Sequence, residues 1–525
     1  MEKDRARLLS LALLVPLLML CGCADVSRLN IDFASKEARN AQLQKELDKS
    51  VGDFVVAPYL QLGYGTDTRC SDSLDLLWFT RRAQAGEYKI LVKTSKDADY
   101  RVCEPIRRRE IKMPGTAEAF YKFAGTMTGL VPGESFDYRL VTMPGNKIVF
   151  AASGIARKAA DQKARIAIFG DCGANTPGQR KVALQCDRAK PDFVIIPGDV
   201  VYRWGLISEY LTKFFPIYNA KGLQSVKLLR RIPFVAALGN HDIAKSDTGI
   251  NIDRYPDALG FFLFIDQPLN GFAVDQPGTN TYKGLDGKTY TRDFSNKPFM
   301  LGEPSKVDLV QRALGDAFPK MSNFSFDYAN AHFTVLDGNE YMLWNTPALK
   351  RWLEADLDRS RADKSIVWRF VVMHQPAFTI DAPHAIEDQT RLILDVVQAK
   401  GVDMIFAGHS HCYERTRPIV FNPLKGQKAF AMSWDKKVTG RFDIDNDYDG
   451  IKKTRSRGII HIVTGGGGAP LYPKGAYFPD KSSDYMLRYD SSKHSFTSLD
   501  LDGTRATITQ IDEDGKTMDR FVVSK

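Results

Sequence analysis

Histidine, cysteine and long apolar runs are all scarce in this sequence. Its 525 residues include 8 histidines and 7 cysteines, so any cluster of imidazoles or thiolates draws on a small supply. One apolar run, Leu8 to Leu20, would make roughly 20 Å of helix, short of the ~30 Å apolar core of a membrane. No later stretch is long and apolar enough to cross a bilayer. The sequence therefore predicts no membrane-spanning helix.

The chain is basic, with a formal net charge of +9 and an isoelectric point near 9.0. Residues 1–22 hold three basic and two acidic side chains, a net +1, which leaves about +8 on the remainder. There is no basic stripe interleaved with aromatic residues, so no nucleic-acid partner is expected. A basic surface that is simply solvated, or one that steers small anions, accounts for the charge.

The first residues have the pattern of an export signal. Arg5 and Arg7 precede the short apolar run, which is typical of a signal peptide. Leu20-Cys21-Gly22-Cys23 then resembles a bacterial lipobox, with Cys23 as the lipidated first residue. We predict a lipoprotein-type signal peptide over 1–22, a linker over 23–52 and export to the bacterial cell envelope as a periplasmic or outer-membrane lipoprotein. Ordinary cleavage near Ala24, with secretion, is the alternative.

Five cysteines remain outside this segment. Export permits disulfides, and Cys70 and Cys103 are the preferred pair because both fall in the same N-terminal region. Cys172 and Cys412 each adjoin a candidate ligand at a strand end, where neighbouring side chains point to opposite sides. Both are expected to be packing residues.

Residues 53–155 predict an all-β unit. Leu74 to Thr80 and Tyr88 to Val92 are typical strands. Gly129 to Arg139 resembles the corner before a late strand of a fibronectin type III-like sandwich. The unit holds no group of chemically active residues, so we expect it to pack against and place the remainder of the chain, residues 163–525.

Five apolar runs in that remainder each end in a metal-ligand type of residue. Near-continuous apolar runs are typical of strands buried on both faces, and open α/β sheets place their sites at the carboxyl ends of strands. Five coincidences of this kind are hard to explain by structure alone. The residues that follow the five runs are Asp171, Asp199, Asn240, His374, and the pair His409 and His411.

These motifs resemble those of the metallophosphoesterases, and among them the purple acid phosphatases. Most metallophosphoesterases carry Asp-x-His at the first motif, whereas here Gly173 takes the third position and Tyr202 follows the second aspartate by three residues. The motifs are Gly170-Asp171-Cys172-Gly173, Gly198-Asp199-Val200-Val201-Tyr202, Gly239-Asn240-His241-Asp242, Val371-Val372-Met373-His374 and Gly408-His409-Ser410-His411.

The resemblance implies an α/β fold: a two-sheet metallophosphoesterase sandwich flanked by helices, preceded by the fibronectin type III-like domain. The second domain, 163–525, then contains an insertion at about 243–322, which we expect to influence substrate access. Between the first two motifs, Gln179 to Lys190 predicts a helix, and others are predicted from Pro347 and from about Glu387 to Lys400.

The resemblance also implies a binuclear metal centre. Asp171, Tyr202 and His411 would hold Fe(III), because a phenolate is a hard, electron-donating ligand. Asp199 would bridge to a divalent ion (Zn, Mn or Fe) completed by the remaining candidates. Mixed oxygen and nitrogen ligands suit such metals. Those remaining candidates are Asn240, His374 and His409.

The implied function is hydrolysis of phosphate monoesters by attack of a metal-bound hydroxide, with a small phosphate ester as partner. His241 and His384 occupy positions where the family has substrate-binding or proton-donating histidines. A phosphodiesterase or nucleotidase on the same metal core is the first alternative. A non-catalytic surface module for phosphate binding or adhesion is the second.

Three other features have a structural interpretation. His332 and His461 lie inside apolar runs, so both are expected in the core. Gly465 to Gly468 resembles a loop near the family's site and lacks the Gly-Lys-Ser/Thr ending of a P-loop. The aspartates from Asp443 to Asp449 predict a solvated acidic turn. Calcium binding is the alternative, although an EF-hand needs glutamate where Ser456 stands.

Overall fold

We analysed a computed structural model of the chain. The predicted signal peptide, Cys23, the linker 23–52 and most of the insertion lie outside the residues that the structure describes. Those residues are 54–81, 88–111, 120–220, 224–243, 245–246, 249–250, 259–272, 279–283, 289–293, 317–339, 342, 344, 347–381, 384–385, 387–424, 438–472 and 484–525.

The N-terminal region is entirely β and forms two four-stranded sheets. One sheet has the order β1-β2-β6-β5 and the other β4-β3-β7-β8, with antiparallel neighbours throughout. Trp78 stacks on Phe123 inside the region, and both rings are buried. This arrangement is consistent with the expected fibronectin type III-like domain. The strands are β1 (Phe54–Gln61), β2 (Leu74–Thr80), β3 (Tyr88–Lys93), β4 (Arg101–Cys103), β5 (Ile106–Ile111), β6 (Phe120–Met127), β7 (Ser135–Thr142) and β8 (Lys147–Ile155).

The expected disulfide between Cys70 and Cys103 is wrong, because both cysteines are free. Cys70 Sγ lies 2.8 Å from Ser73 Oγ in the loop before β2. Cys103 is buried at the end of β4, with its sulfur 3.5 Å from the Arg101 guanidinium. Shared membership of one domain did not bring the two thiols together.

The rest of the chain contributes two larger sheets and several short hairpins. Its strands are β9 (Ala164–Ile168), β10 (Phe193–Pro197), β11 (Phe234–Ala237), β12 (Lys245–Ser246), β13 (Gly249–Ile250), β14 (Thr279–Lys283), β15 (Thr289–Asp293), β16 (Phe324–Tyr328), β17 (Ala331–Leu336), β18 (Trp368–Met373), β19 (Met404–Ala407), β20 (Tyr413–Thr416), β21 (Ile419–Pro423), β22 (Gly440–Ile444), β23 (Ile460–Thr464), β24 (Met486–Asp490), β25 (Ser495–Asp502), β26 (Arg505–Asp512) and β27 (Thr517–Ser524).

The helices are few and mostly short. The longest that the structure describes is α7, and none is both long enough and apolar enough to cross a membrane. The helices are α1 (Pro177–Ala189), α2 (Ile207–Glu209), a π-helical turn (Tyr210–Phe214), α3 (Phe215–Tyr218), α4 (Leu228–Arg231), α5 (Gly260–Phe264), α6 (Ala317–Lys320), α7 (Pro347–Ala362), a 3-10 helix (Asp388–Ile393) and α8 (Leu394–Ala399).

The helix predictions agree with these bounds. The Thr176 hydroxyl accepts a hydrogen bond from the Gln179 N–H and caps α1. Pro177 occupies the first helical position, where an N–H would have no partner within the helix. Helix α7 begins at Pro347, as expected. The helix expected from Glu387 is divided into the 3-10 segment and α8.

The two large sheets pack face to face and form the expected α/β sandwich. The first has the order β11-β10-β9-β25-β26-β27 and is parallel in β9 to β11. The second has the order β16-β17-β18-β19-β23-β20-β24 and is parallel from β17 to β23. Phe193 on the first sheet lies 5.8 Å from Phe326 and 5.6 Å from Phe333 on the second, measured between ring centroids. These aromatic contacts belong to the apolar core between the sheets.

The described part of the insertion contacts both domains. Gln267 Nε2 donates to Ala236 O (2.9 Å) on β11, while the Tyr59 hydroxyl of β1 donates to Phe264 O (2.6 Å). The buried Lys122 ammonium of β6 pairs with the Asp266 carboxylate. Residues 259–272 therefore join the N-terminal domain to the sandwich. An influence on substrate access remains a prediction for the rest of the insertion.

Candidate metal centre

The loops after β9, β10 and β19 bring three candidate ligands together. The Tyr202 hydroxyl donates to Asp171 Oδ1 at 2.9 Å and lies 3.0 Å from His411 Nε2. His411 Nε2 lies 3.5 Å from the same Asp171 oxygen. Asp171 is fully buried and His411 nearly so. The three side chains predicted to hold iron thus converge on one point.

A second group converges beside the first. His374 Nε2 lies 2.8 Å from Asn240 Oδ1, 3.3 Å from Asp199 Oδ1 and 3.2 Å from His409 Nδ1. Ligand atoms of Asp171, Asp199 and His374 also lie within 4.8 Å of one another, so Asp199 sits between the two groups. All seven residues predicted as metal ligands therefore share one end of the sandwich.

These spacings fit bound metal ions. Two ligands at a right angle on a metal with bonds of about 2.1 Å lie about 3 Å apart. The distances within each group, from 2.8 to 3.5 Å, match that edge length. The donors are two carboxylates, an amide oxygen, a phenol and three imidazoles, a mixture suited to hard and borderline metals.

The backbone at these loops takes an uncommon conformation. Asp171, Asp199 and His409 have φ values of 57°, 53° and 71°, in the left-handed region that non-glycine residues seldom adopt. Strain of this kind concentrates at functional sites, where the surrounding structure enforces it. Three of the seven candidate ligands have this backbone conformation.

Gly173 explains why a tyrosine rather than a histidine serves the first group. A Cβ at Gly173 would lie 2.0 Å from Val200 O, so no side chain fits there. The Tyr202 N–H donates to Gly173 O at 3.0 Å, and this contact holds the two motifs together. Tyr202, three positions after Asp199, then offers the candidate ligand that residue 173 cannot.

Backbone carbonyls orient two of the imidazoles. His374 Nδ1 lies 2.9 Å from Pro197 O, and His411 Nδ1 lies 2.8 Å from Pro470 O. Each contact requires the proton on Nδ1, which leaves Nε2 available toward the site. The neighbouring carboxylate of Asp242 accepts backbone N–H groups from Gly239 and Val200 (2.8 Å each), and so ties the second and third motifs together.

The electrostatics of the site favour positive charge. Burial alone lowers the pKa of His374, but the Asp199 and Asp171 carboxylates raise it to about 9. Burial raises the pKa of Asp199, but the imidazoles of His374 and His241 bring it well below its usual range. Burial and the His384 charge lower the pKa of His409. Two buried carboxylates at the centre thus create the negative potential that a cation site needs.

The two predicted catalytic histidines lie at the rim of this centre. The His241 ring stands 4.6 Å from the Tyr202 ring, with Nδ1 2.9 Å from Arg203 O. The His384 ring lies 3.7 Å from the His409 ring. His384 comes from the loop after β18, and His241 directly follows a candidate ligand. Both rings therefore lie beside candidate ligands.

Sequence reasoning missed Glu387 and Tyr472. Glu387 Oε2 lies 2.8 Å from His409 Nε2 and 3.6 Å from His384 Nδ1. The Tyr472 ring stacks on His411 at 4.4 Å, and its hydroxyl lies 3.4 Å from His384 Nε2. The three-residue spacing from His384 was the available signal for Glu387, since a turn places such residues side by side. Tyr472 follows the glycine run and gave no signal of its own.

The glycine run forms a loop under the first group of ligands. We call residues 465–470 the glycine loop. A Cβ at Gly465 would lie 2.1 Å from Ser410 O, and one at Gly467 would lie 2.2 Å from Gly170 O. Side chains are thus excluded because the loop packs directly on the backbone of the first and last motifs. The run is a packing requirement of the site, which agrees with its predicted proximity.

The acidic turn is closed by its own hydrogen bonds. Asp445 accepts three backbone N–H groups and the Arg457 guanidinium, at 2.9 to 3.3 Å. Asp449 accepts three more N–H groups, at 2.7 to 2.9 Å, and Lys453 Nζ lies 3.3 Å from Asp447. These carboxylates already have partners, as expected for the solvated turn.

The two core histidines lie away from the candidate centre. His461 is buried against Phe378, with ring centroids 4.6 Å apart, and burial with the Arg391 charge lowers its pKa to about 3. His332 is buried between the carboxylates of Asp327 (2.6 Å) and Asp356 (2.9 Å). Both positions agree with a structural interpretation.

Comparison with known proteins shows what this chain is similar to. Residues 164–413 match the family model described as calcineurin-like phosphoesterase. An uncharacterized protein of Mycobacterium tuberculosis is 34% identical over 310 residues, which cover 58% of this chain and 47% of that protein. Purple acid phosphatase 23 of Arabidopsis thaliana is 24% identical over 281 residues, covering 49% of this chain and 48% of its own length. The chain spans about half the length of these relatives.

Solved structures share the fold. A purple acid phosphatase from yellow lupin seeds aligns with a TM-score of 0.57 and 18% identity, covering 89% of this chain and 74% of that one. The structure of PhoD aligns with a TM-score of 0.53 and 12% identity, covering 90% and 93%. Residues 164–413 thus match a calcineurin-like phosphoesterase domain, and the chain shares its fold with these solved structures. The similarity to purple acid phosphatases agrees with the resemblance of its motifs.

Proposed function

We propose that this protein hydrolyses phosphate monoesters at a binuclear centre of Fe(III) and a divalent ion (Zn, Mn or Fe). The observation that carries the proposal is the position of Tyr202, whose hydroxyl lies within 3.0 Å of both Asp171 and His411. A phenolate beside a carboxylate and an imidazole favours a hard trivalent ion. The second group, which has no phenol, suits a divalent ion.

The ligands divide between two ions. Asp171, Tyr202 and His411 would hold iron, and Asp199 would bridge. When bound, the pair of ions would supply Lewis-acid stabilisation to the charge on the phosphoryl and leaving oxygens. The protein's part is to fix the ligands through the carbonyls of Pro197 and Pro470. The residues that would complete the divalent site are Asn240, His374 and His409.

His384 and His241 would bind the phosphate and protonate the leaving oxygen. An alkoxide is a poor leaving group, so a proton donor within reach of it accelerates the reaction. His384 is the stronger candidate for proton transfer, because Glu387 Oε2 lies 3.6 Å from its Nδ1 and its ring lies 3.7 Å from that of the candidate ligand His409. His241 would contact the phosphoryl group from the side of Tyr202.

The decisive test is the visible spectrum of purified protein lacking residues 1–23, with metal content measured alongside. A tyrosinate-to-Fe(III) charge-transfer band that disappears in Tyr202→Phe, together with activity on an aryl phosphate at mildly acidic pH, is the expected result. Two bound metals without the band would make the protein a divalent phosphoesterase. Activity on a diester but not on the matching monoester would favour the phosphodiesterase alternative. Absence of any bound metal would overturn the enzyme proposal and leave the non-catalytic module.

We also propose that the protein is an envelope lipoprotein anchored through Cys23. The lipobox-like Leu20-Cys21-Gly22-Cys23 after a short apolar run supports this. Expression of the full chain in a bacterium fed labelled palmitate should give a labelled product in the membrane fraction. Cys23→Ser should abolish the label. Equal labelling of both proteins would contradict the anchor, and an unlabelled soluble product would favour ordinary cleavage near Ala24.

A further inference from the structure

His494 connects the C-terminal hairpin to the glycine loop. Its Nδ1 lies 3.0 Å from Glu513 Oε2, and its Nε2 lies 3.0 Å from Ala469 O. Both partners are acceptors only, and a neutral imidazole carries one N–H. Both hydrogen bonds therefore form together only when the ring is protonated.

The carbonyl that His494 contacts is next to the one that orients His411. The Ala469 N–H donates to Asp171 O at 2.7 Å, and Pro470 O accepts from His411 Nδ1 at 2.8 Å. The Ala469–Pro470 segment is thus held by His494 at the first carbonyl and directs the second carbonyl at a candidate ligand. A shift of this peptide would move the His411 ring.

Other hydrogen bonds also hold the glycine loop, so His494 is one of several contacts that fix its position. Gly467 N–H donates to Gly170 O (3.0 Å), and the Thr176 hydroxyl donates to Gly468 O. The Ser495 N–H donates to Gly466 O at 2.9 Å. None of these contacts involves a titrating group. A neutral His494 ring keeps one of its two hydrogen bonds, and the negative Glu513 carboxylate favours the proton on Nδ1, so the contact with Ala469 O is the one that is lost.

Several charged groups surround the ring. Glu513 also accepts from Lys181 Nζ of α1 at 2.8 Å, which reduces its attraction for the ring. Asp514 lies 3.7 Å from the same ammonium, and the Lys493 ammonium pairs with Asp514. From α1 the ring also meets the backbone: a Cβ at Gly178 would lie 2.3 Å from His494 Nδ1. Glu513 is the one carboxylate in direct contact with the imidazole among the described residues.

We propose that His494, held by Glu513, is a positioning residue that fixes the glycine loop under His411 when it is protonated. This rests on the proposed function in that His411 is taken to be a metal ligand. Only the protonated ring makes both hydrogen bonds, so the loop, and with it the His411 orientation, would be held more firmly at lower than at higher pH.

The test is hydrogen exchange of the Gly467 and Ala469 amides at pH 5.5 and pH 8, corrected for intrinsic rates. One hydrogen bond's worth of stabilisation predicts protection about threefold to tenfold higher at pH 5.5. His494→Gln and Glu513→Gln should remove this difference. Lys493→Gln, an adjacent change that leaves both imidazole contacts in place, should keep it. Equal protection at both pH values in the parent protein would overturn the proposal.

A second readout concerns the metal. The same variants should retain iron about threefold to tenfold less well than the parent against a chelator at pH 5.5, and equally well at pH 8. Iron retention that is unchanged at pH 5.5 would also overturn the proposal. Phosphatase activity is not needed for either measurement. A protein that shows the exchange effect and retains iron yet hydrolyses no ester would remove the proposed function and leave the role of His494 intact.

Discussion

Glu387 Oε2 and His409 Nε2 lie 2.8 Å apart, while the other nitrogen of that imidazole lies 3.2 Å from His374 Nε2. The ring therefore has one side occupied by a carboxylate and the other directed at the second group of candidate ligands. A carboxylate behind a ligating histidine fixes its tautomer and raises its basicity. Glu387 has this relationship to the proposed divalent site.

Replacing Glu387 should weaken the divalent site selectively. Glu387→Gln keeps the shape but lacks the charge, and we expect about tenfold to hundredfold weaker binding of the divalent ion. Tyr202 lies in the other group, so the iron band should persist. Metal analysis after dialysis, with the visible spectrum, measures both. Asp395→Asn is the matched control, because Asp395 lies on α8 with its side chain half exposed. Equal loss of both metals would show that Glu387 serves the fold instead.

His384 should matter most for substrates with poor leaving groups. If it protonates the leaving oxygen, His384→Asn should slow hydrolysis of an alkyl phosphate by about 10²- to 10⁴-fold. An activated aryl phosphate needs less proton transfer and should be slowed far less. Rates on the paired esters at one pH, with equal metal content, measure the difference. A uniform loss on both esters would point to phosphate binding as its only role.

His332 should make stability depend on pH, independently of the metals. Burial alone lowers the pKa of His332, but the Asp356 and Asp327 carboxylates raise it to about 9, above the ordinary 6.5. A raised pKa stabilises the fold fully below pH ~6.5, and this contribution falls as pH rises through about 9. The full contribution is on the order of 3 kcal/mol.

Urea unfolding of the parent and His332→Gln at pH 6 and pH 9.5 measures this contribution. The difference between the two proteins should be largest at pH 6 and should shrink by pH 9.5. His461→Gln is a useful comparison, because His461 is buried with no carboxylate partner among the described residues and has a lowered pKa. Its effect should not shrink over the same interval. A His332 effect that is constant with pH would mean that its ring packs as a neutral group.

The sequence predicted the site better than the contacts that support it. Asp171, Asp199, Asn240, His374 and His409 all follow buried strands. Asp171, Asp199 and Asn240 follow neighbouring parallel strands of one sheet, and His374 and His409 follow neighbouring parallel strands of the other, so the apolar pattern groups the residues within each sheet. That the two sets meet across the sandwich was implied by the motifs. The sandwich followed from the same pattern together with the motifs.

Contacts made by loops and between domains were not predictable in this way. Glu387 meets His409 because of the path of one irregular loop, for which no periodicity exists. Cys70 and Cys103 share a domain, but their distance depends on strand register that the sequence does not specify. Lys122 and Asp266 are separated by 144 positions and lie in different units. Such pairs depend on the packing of whole elements.

The last of these pairs should contribute strongly to docking of the N-terminal domain. Lys122 Nζ contacts the Asp266 carboxylate and donates to Leu263 O at 2.8 Å, with both side chains almost fully buried. Removing one partner leaves a buried, unpaired charge, so Lys122→Met should cost about 3–5 kcal/mol. The double variant Lys122→Met with Asp266→Leu should recover most of that loss, because no charged side chain is then buried without a partner. Urea unfolding of the single and double variants gives the coupling free energy.

The control is Lys163→Met, which breaks an exposed pair with Asp502 and should cost less than about 1 kcal/mol. A double variant no more stable than Lys122→Met would show that the ion pair is not what joins the domains here.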